Sequence, residues 1–399
     1  MIVYSKFESA AIPARIISGQ GCRQALPELI GSLGLERVLL VTDPNVRNSS
    51  DVVGGIERML GYRVGGIFDR VEAHVPEASV GAAVEFARHL QPDAVLSIGG
   101  GSAHDTAKAI AIVLPSGRPI REWATRFEPA HRIHEPASDF VPLPVITVPS
   151  TFCAAEVMGG GGFTEASSHE KLIFGHPRVT PTLVVLDGEV AMTTPRSVLL
   201  ASGMNAVHHC LEALYSKASQ PITDAFALHA LRGLIHSLPR IAPDVVIPNK
   251  SDFQDALNSA SLSGLTYANS GLGVGHAICH SLGGRYGLSH AGANSVIVRY
   301  SLRFNMETAS HKLRPAAEGI GITGGSRDAV AKMPEYIDRL TVRLGVPQSL
   351  RDLGLPDGQS EAIAHDVMKD PGIFSNPRPV SFTDVVDLIE QAWYGRSSA

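Results

Sequence analysis

The chain has 399 residues, 44% of them hydrophobic and 18% charged, with a formal net charge of −5. That composition excludes a disordered chain, and at about 150 residues per domain the length fits two or three domains. The slight acidic excess excludes the usual nucleic-acid binder, which carries a basic excess or a Lys/Arg stripe. The cysteines (Cys22, Cys153, Cys210 and Cys279) show no C-x-x-C spacing and are too sparse for a disulfide scaffold. A reduced, cytoplasmic setting is therefore expected. The opening MIVYSKFESAAIPARII lacks the basic start and long apolar core of a signal peptide. No uncharged apolar run reaches about 18 residues, so no membrane partner is expected.

In chain order, RVLLVTD (37–43) reads as a buried strand ending in an acid, and RVGGIFDRV (63–71) as a weaker one. PEASVGAAVEFARHL (76–90) places apolar residues at 80, 83, 84, 87 and 90, which is one helix face. AVLSIGGGS (94–102) is a strand with a glycine turn, and AHDTAKAIAIVL continues it as a helix. LPVITVPST (143–151) and TLVVLD (182–187) are further apolar strands. This alternation predicts an α/β N-terminal domain with a doubly wound parallel sheet. From Ser197 onward VLLASGMNAVHHCLEALYS, PITDAFALHALRGLIHSL, FQDALNSASLSGLTYA and VGHAICHSLGG all read as helix, so the C-terminal domain is predicted all-α. The division is placed between residues 1–188 and 189–399.

Gly99-Gly100-Gly101-Ser102 lies between a strand and a helix. Glycines let the backbone approach a ligand, and the helix N-terminus favours a pyrophosphate. Ser102 and Asp105 also have the S-x-x-D spacing of a capping box, so a capped helix after a tight turn explains the same residues. This is not the G-x-G-x-x-G fingerprint. Asp43, at the end of the first strand, either accepts hydrogen bonds from a ribose or forms a turn before Pro44. As a ribose acceptor it would favour NADH, with NADPH the alternative. Cys153 reads as a packing residue with no activating base nearby.

The chain holds sixteen histidines. Asn205 and His209 are i, i+4 on one predicted helix, and His276 and His280 on another; His290 follows in a Gly-Leu-Ser-His-Ala turn. His208 points about 100° away from His209 and is expected to play a different part.

The runs GGGSAHDTAKAIA, SGMNAVHHCLEALYS and GLGVGHAICHSLGGRYGLSHAGANS, in that order, resemble the iron-containing (group III) alcohol dehydrogenase family, and the likeness runs nearly end to end. It implies a dehydroquinate synthase-like architecture, a dinucleotide-binding N-terminal domain, and a helical C-terminal domain carrying the substrate and metal site. The cofactor-binding set it implies is Asp43, Gly99, Gly100, Gly101, Ser102, Asp105, Ser150, Thr151 and Lys171. Its metal ligands are one Asp and three His; the matching positions are Asn205, His209, His276 and His290. An amide in place of the carboxylate removes about 4 kcal/mol of attraction at 4 Å and an effective dielectric near 20, so metal binding is expected to be weak or absent.

Asn205 also resembles the maleylacetate reductase branch, as do AHVPE (73–77), the shortened turn PSTFCAAEV (149–157) and Asn376-Pro377-Arg378-Pro379. Ala291-Gly292-Ala293-Asn294 departs from that branch, which has an acidic-polar run there. The likeness implies reduction of an unsaturated oxo-dicarboxylate such as maleylacetate to 3-oxoadipate in aromatic-compound degradation, and a homodimer. Such chemistry needs a proton donor, and histidine suits it. His209, His276, His280 and His290 are the candidates, with His276 or His280 preferred. Arg285, and after it Lys171, are candidates for the substrate carboxylates. The competing readings are a metal-dependent Fe or Zn alcohol or aldehyde dehydrogenase, a dehydroquinate synthase-like lyase, and a dinucleotide-binding protein without catalysis.

Overall fold

The computed structural model describes residues 15–128, 132–134, 140–168, 170–176, 178–324 and 326–395. The segment 1–14, read above for a signal peptide, lies outside the described residues. The described chain forms two compact units that divide between Pro195 and Arg196, where the sequence reading places the break at 188/189.

The first unit is α/β. Its strands are β1 (Ile16–Ser18), β2 (Val38–Val41), β3 (Val64–Phe68), β4 (Ala94–Gly99), β5 (Arg126–Glu128), β6 (Arg132–His134), β7 (Val145–Pro149), β8 (Gly160–Thr164), β9 (Lys171–Gly175) and β10 (Leu183–Leu186). Six form one sheet in the order β1-β10-β7-β4-β2-β3, and every pairing in it is parallel. Alternation explains the burial: Leu39, Val41 and Val95 face one apolar cluster, with the 77–90 and 101–116 helices. Val38, Leu40, Leu96 and Ile98 face the other, with the 26–32 and 52–60 helices. A sheet covered on both faces is the doubly wound arrangement the sequence predicts. Edge strand β1 and the antiparallel pairs β5–β6 and β8–β9 were not predicted.

The second unit is helical among the described residues. Helices Arg196–Tyr215, Lys250–Ser270, Val274–Tyr286 and His290–Asn305 carry the polar residues of interest. The apolar sides of the last two pack with the 382–394 helix through Ile278, Leu282, Val296, Ile297, Leu388 and Ile389. No described helix is long and apolar enough to cross a membrane.

Candidate active site

In the α/β unit the chain passes from β2 to β3 on one side and then returns to β4 on the other. The carboxyl ends of β2 and β4 are therefore the topological switch point, where parallel sheets bind ligands. Asp43 and the glycine turn stand there. Asp43 Oδ1 caps the Pro44–Ser49 helix, accepting from the Asn45 N–H at 2.9 Å and the Val46 N–H at 3.1 Å. Its Oδ2 lies 3.3 Å from where a Cβ on Gly99 would stand, so the acid faces the turn. Gly99 has φ of 151°, which a side chain rarely tolerates. The Ser150 N–H donates to the Gly99 carbonyl at 2.8 Å, and a Cβ on Gly100 would stand 3.4 Å from the Thr151 side chain.

The Gly101–Ser116 helix has Gly100 at its N-cap with no side-chain cap. The capping box expected from Ser102 and Asp105 is absent, because the helix starts at Gly101 and Asp105 already lies a turn inside it. Asp105 instead accepts the Gly162 N–H at 3.0 Å and pairs with Lys108 at 3.4 Å. The buried Lys108 Nζ donates to the carbonyls of Ala155 and Gly160, tying the β8 hairpin to this helix. Burial pushes the Lys171 amine down, and Asp105 pulls it partly back. An uncapped helix start behind a backbone that excludes side chains fits a dinucleotide pyrophosphate.

In the helical unit, Asn205 lies between two imidazoles. Its Nδ2 is 3.4 Å from His209 Nε2, and its Oδ1 is 3.3 Å from His276 Nε2. The two rings stack with centroids 4.8 Å apart. His209 Nδ1 meets Ser263 Oγ at 3.3 Å. Ser263 donates its own hydroxyl to the Ala260 carbonyl, so Nδ1 carries the ring proton and Nε2 accepts from the amide. His276 Nδ1 donates to Glu212 Oε2 at 2.7 Å. Burial pushes His276 down to about 4 despite Glu212, and burial, with His276 beside it, pushes His209 well down. Both are neutral at neutral pH.

Glu212 is the principal residue the sequence reading missed. It is fully buried and also accepts from the backbone N–H groups of Gly273 and Gly275, at 2.7 and 3.0 Å. Burial pushes its carboxyl up, but His208 and His276 outweigh that and hold it well below the usual carboxylate range. His208 does join this group: its ring lies 4.5 Å from that of His276, and its Nδ1 meets Asn294 Oδ1 at 2.7 Å. Asn294 in turn contacts His290 Nε2 at 3.2 Å, and His290 opens its helix behind Ser289. Among the described residues His208, Glu212 and His276 lie close enough to share an ion; the trio His209, His276 and His290 is not such a group.

His280 is half-buried, its Nδ1 bonded to Asp370 Oδ2 at 2.8 Å, and it stacks on His290 at 5.9 Å. Asp370 is a second missed residue, held by the Gly372 N–H at 2.7 Å. Arg285 is exposed and bidentate on Asp366, through Nε and a terminal nitrogen, both at 2.7 Å.

The glycine turn at the switch point of the parallel sheet suits a dinucleotide, and the helical unit carries a buried imidazole cluster. Residues 13–188 match the family described as Iron-containing alcohol dehydrogenase, and residues 199–393 match its C-terminal domain. The chain belongs to the iron-containing alcohol dehydrogenase family, as its motifs imply, and is maleylacetate reductase-like within it. It is 30% identical over 386 residues to a maleylacetate reductase of Sphingobium indicum, covering 96% of each chain. It is 28% identical over 390 residues to an NAD-dependent methanol dehydrogenase of Bacillus methanolicus, covering 96% of this chain and 98% of that one. Among solved structures it is similar to a 1,3-propanediol oxidoreductase, with a TM-score of 0.89 at 28% identity over 98% of this chain and 100% of that one.

Proposed function

We propose that the protein is an NADH-dependent reductase of the maleylacetate type, acting on an unsaturated oxo-dicarboxylate without a tightly held metal. The observation that carries this reading is the Asn205 carboxamide set between His209 and His276. A divalent ion at the family position would lose the charged ligand that offsets its desolvation, because a neutral carboxamide stands beside both rings. The donor set at Asn205, His209, His276 and His290 therefore fits such an ion poorly. Chelation and metal analysis of the active enzyme test this directly.

The glycine turn, Asp43, Ser150, Thr151 and Lys171 would hold the dinucleotide, which when bound supplies a hydride. The helical unit supplies the proton. Hydride addition to the carbon β to the ketone moves the π electrons onto the carbonyl oxygen as an enolate. Protonation at the α carbon then gives the saturated oxo-acid. His276 and His209 are buried and neutral, whereas His280 is half-buried and reaches solvent, so His280 is the better donor. Asp370 orients the ring through Nδ1, leaving Nε2 to deliver the proton. Solvent restores it, since His280 is only half-buried.

A metal-dependent alcohol dehydrogenase is the second reading, favoured by the likeness to the propanediol oxidoreductase. Initial rates of NADH and NADPH oxidation against maleylacetate, other unsaturated oxo-dicarboxylates and simple aldehydes separate the two. Turnover of the dicarboxylates supports the proposal; turnover confined to aldehydes overturns it.

A further inference from the structure

We propose that His104, Cys153 and Glu156 form a separate site, in the α/β unit, for a thiophilic divalent cation of the Zn²⁺ class. A ring nitrogen, the thiol sulfur and a carboxylate oxygen of these residues all lie within 4.8 Å of one another. His104 is completely buried in the first turn of the 101–116 helix. Its Nδ1 is 2.8 Å from Ser97 Oγ, and Ser97 donates its hydroxyl to the Ile146 carbonyl. With the ring proton on Nδ1, Nε2 offers a lone pair. That Nε2 is buried with no hydrogen-bond partner. A buried ring nitrogen without a partner is unfavourable, and a ligated cation would satisfy it.

The other two ligands supply what such an ion needs. Cys153 Sγ is half-buried and 3.7 Å from Glu156 Oε2, and Glu156 is fully buried. A thiolate and a carboxylate cancel the two charges of the ion, and a neutral imidazole completes three ligands with one position open. Burial, with Lys108 nearby, pushes His104 down to about 3, so its lone pair is open at neutral pH. Burial and Glu156 push the Cys153 thiol up to about 12. The thiol proton would therefore leave as the cation binds, one per ion. Cys153 Sγ lies 3.9 Å from where a Cβ on Gly101 would stand, so an ion there would clamp the turn after β7 to the start of the phosphate-facing helix. Cys153 and Glu156 are three residues apart in sequence, whereas His104 meets them only in space.

The test is a Co²⁺ titration of the chelator-treated full-length protein, followed by Zn²⁺ calorimetry. The expected result is one Co²⁺ per chain with a near-ultraviolet thiolate-to-cobalt band, displaced by Zn²⁺. The Asn205 cluster holds only nitrogen and oxygen ligands and gives no such band. Cys153→Ser should abolish the band, and Glu156→Gln should weaken Zn²⁺ binding by about 100-fold or more, with melting temperatures confirming that both variants fold. Absence of the band in the parent, or its survival in Cys153→Ser, would overturn the proposal. So would equal Zn²⁺ affinity in the parent and both variants.

Discussion

Replacing Asn205 with aspartate changes one atom type and one charge at the centre of the imidazole cluster. The amide is 3% exposed and lies 3.3–3.4 Å from two ring nitrogens, so a carboxylate of the same shape occupies the same place. At about 4 Å and an effective dielectric near 20, a unit charge pair is worth about 4 kcal/mol. A divalent ion seated between the rings doubles that attraction, and desolvation of the carboxylate takes back a large part, which leaves on the order of a thousandfold in affinity. The same carboxylate also favours protonation of His209 and His276, which burial now opposes. Calorimetric titration of chelator-treated parent and Asn205→Asp with Zn²⁺ and Fe²⁺ reads the difference. The variant should bind about 10³-fold more tightly, with a cooperative melt confirming that it folds. A parent that binds within tenfold of the variant would refute the charge argument.

Three further outcomes follow from the geometry. His280→Ala should lower kcat for an unsaturated oxo-acid by about 10²–10⁴, and Asp370→Asn by less, with the melting temperature unchanged in both; equal rates would remove His280 from proton delivery. Gly99→Ala forces a side chain onto φ of 151° with its Cβ 3.0 Å from Ala103. A loss of about 1–3 kcal/mol of stability and a raised KM for NADH are expected, and an unchanged KM would separate the turn from the cofactor. The folded-state pKa of His276 lies below its ordinary value of 6.5, at about 4. The neutral ring's contribution is therefore complete above pH 6.5 and is lost as pH falls toward 4. Denaturant melts of parent and His276→Gln should differ by on the order of 3 kcal/mol less at pH 4 than at pH 7; a pH-independent gap would contradict neutral burial.

The buried strands β2, β4, β7 and β10 were legible because each is a short apolar run bounded by turn residues, and the helices because their apolar faces repeat. Edge strand β1 was not, since Ile16–Ser18 is three residues long with no buried position. Nor was β8, whose Gly160–Thr164 has glycine where β-branched residues would signal a strand. The pairing of Asn205 with His209 was visible as an i, i+4 spacing. Glu212 was available by the same rule, four residues after His208, but histidine spacing alone drew attention past it. Asp370 lies 90 residues from His280, and Asp366 lies 81 from Arg285, so no local pattern could join them. The capping box failed by a shift of two residues, because the glycine turn lets the helix begin at Gly101, with Gly100 at the N-cap, rather than after Ser102.

The central claim is a reduction whose proton comes from an imidazole and whose chemistry needs no bound metal. The most direct measurement is the initial rate of NADH oxidation with maleylacetate on a single preparation assayed for metal content, before and after exhaustive chelation. The rate should be the same in both states, with far less than one ion at the Asn205 cluster per chain. A rate that vanishes on chelation and returns with stoichiometric Zn²⁺ or Fe²⁺ in both the parent and Cys153→Ser would contradict it.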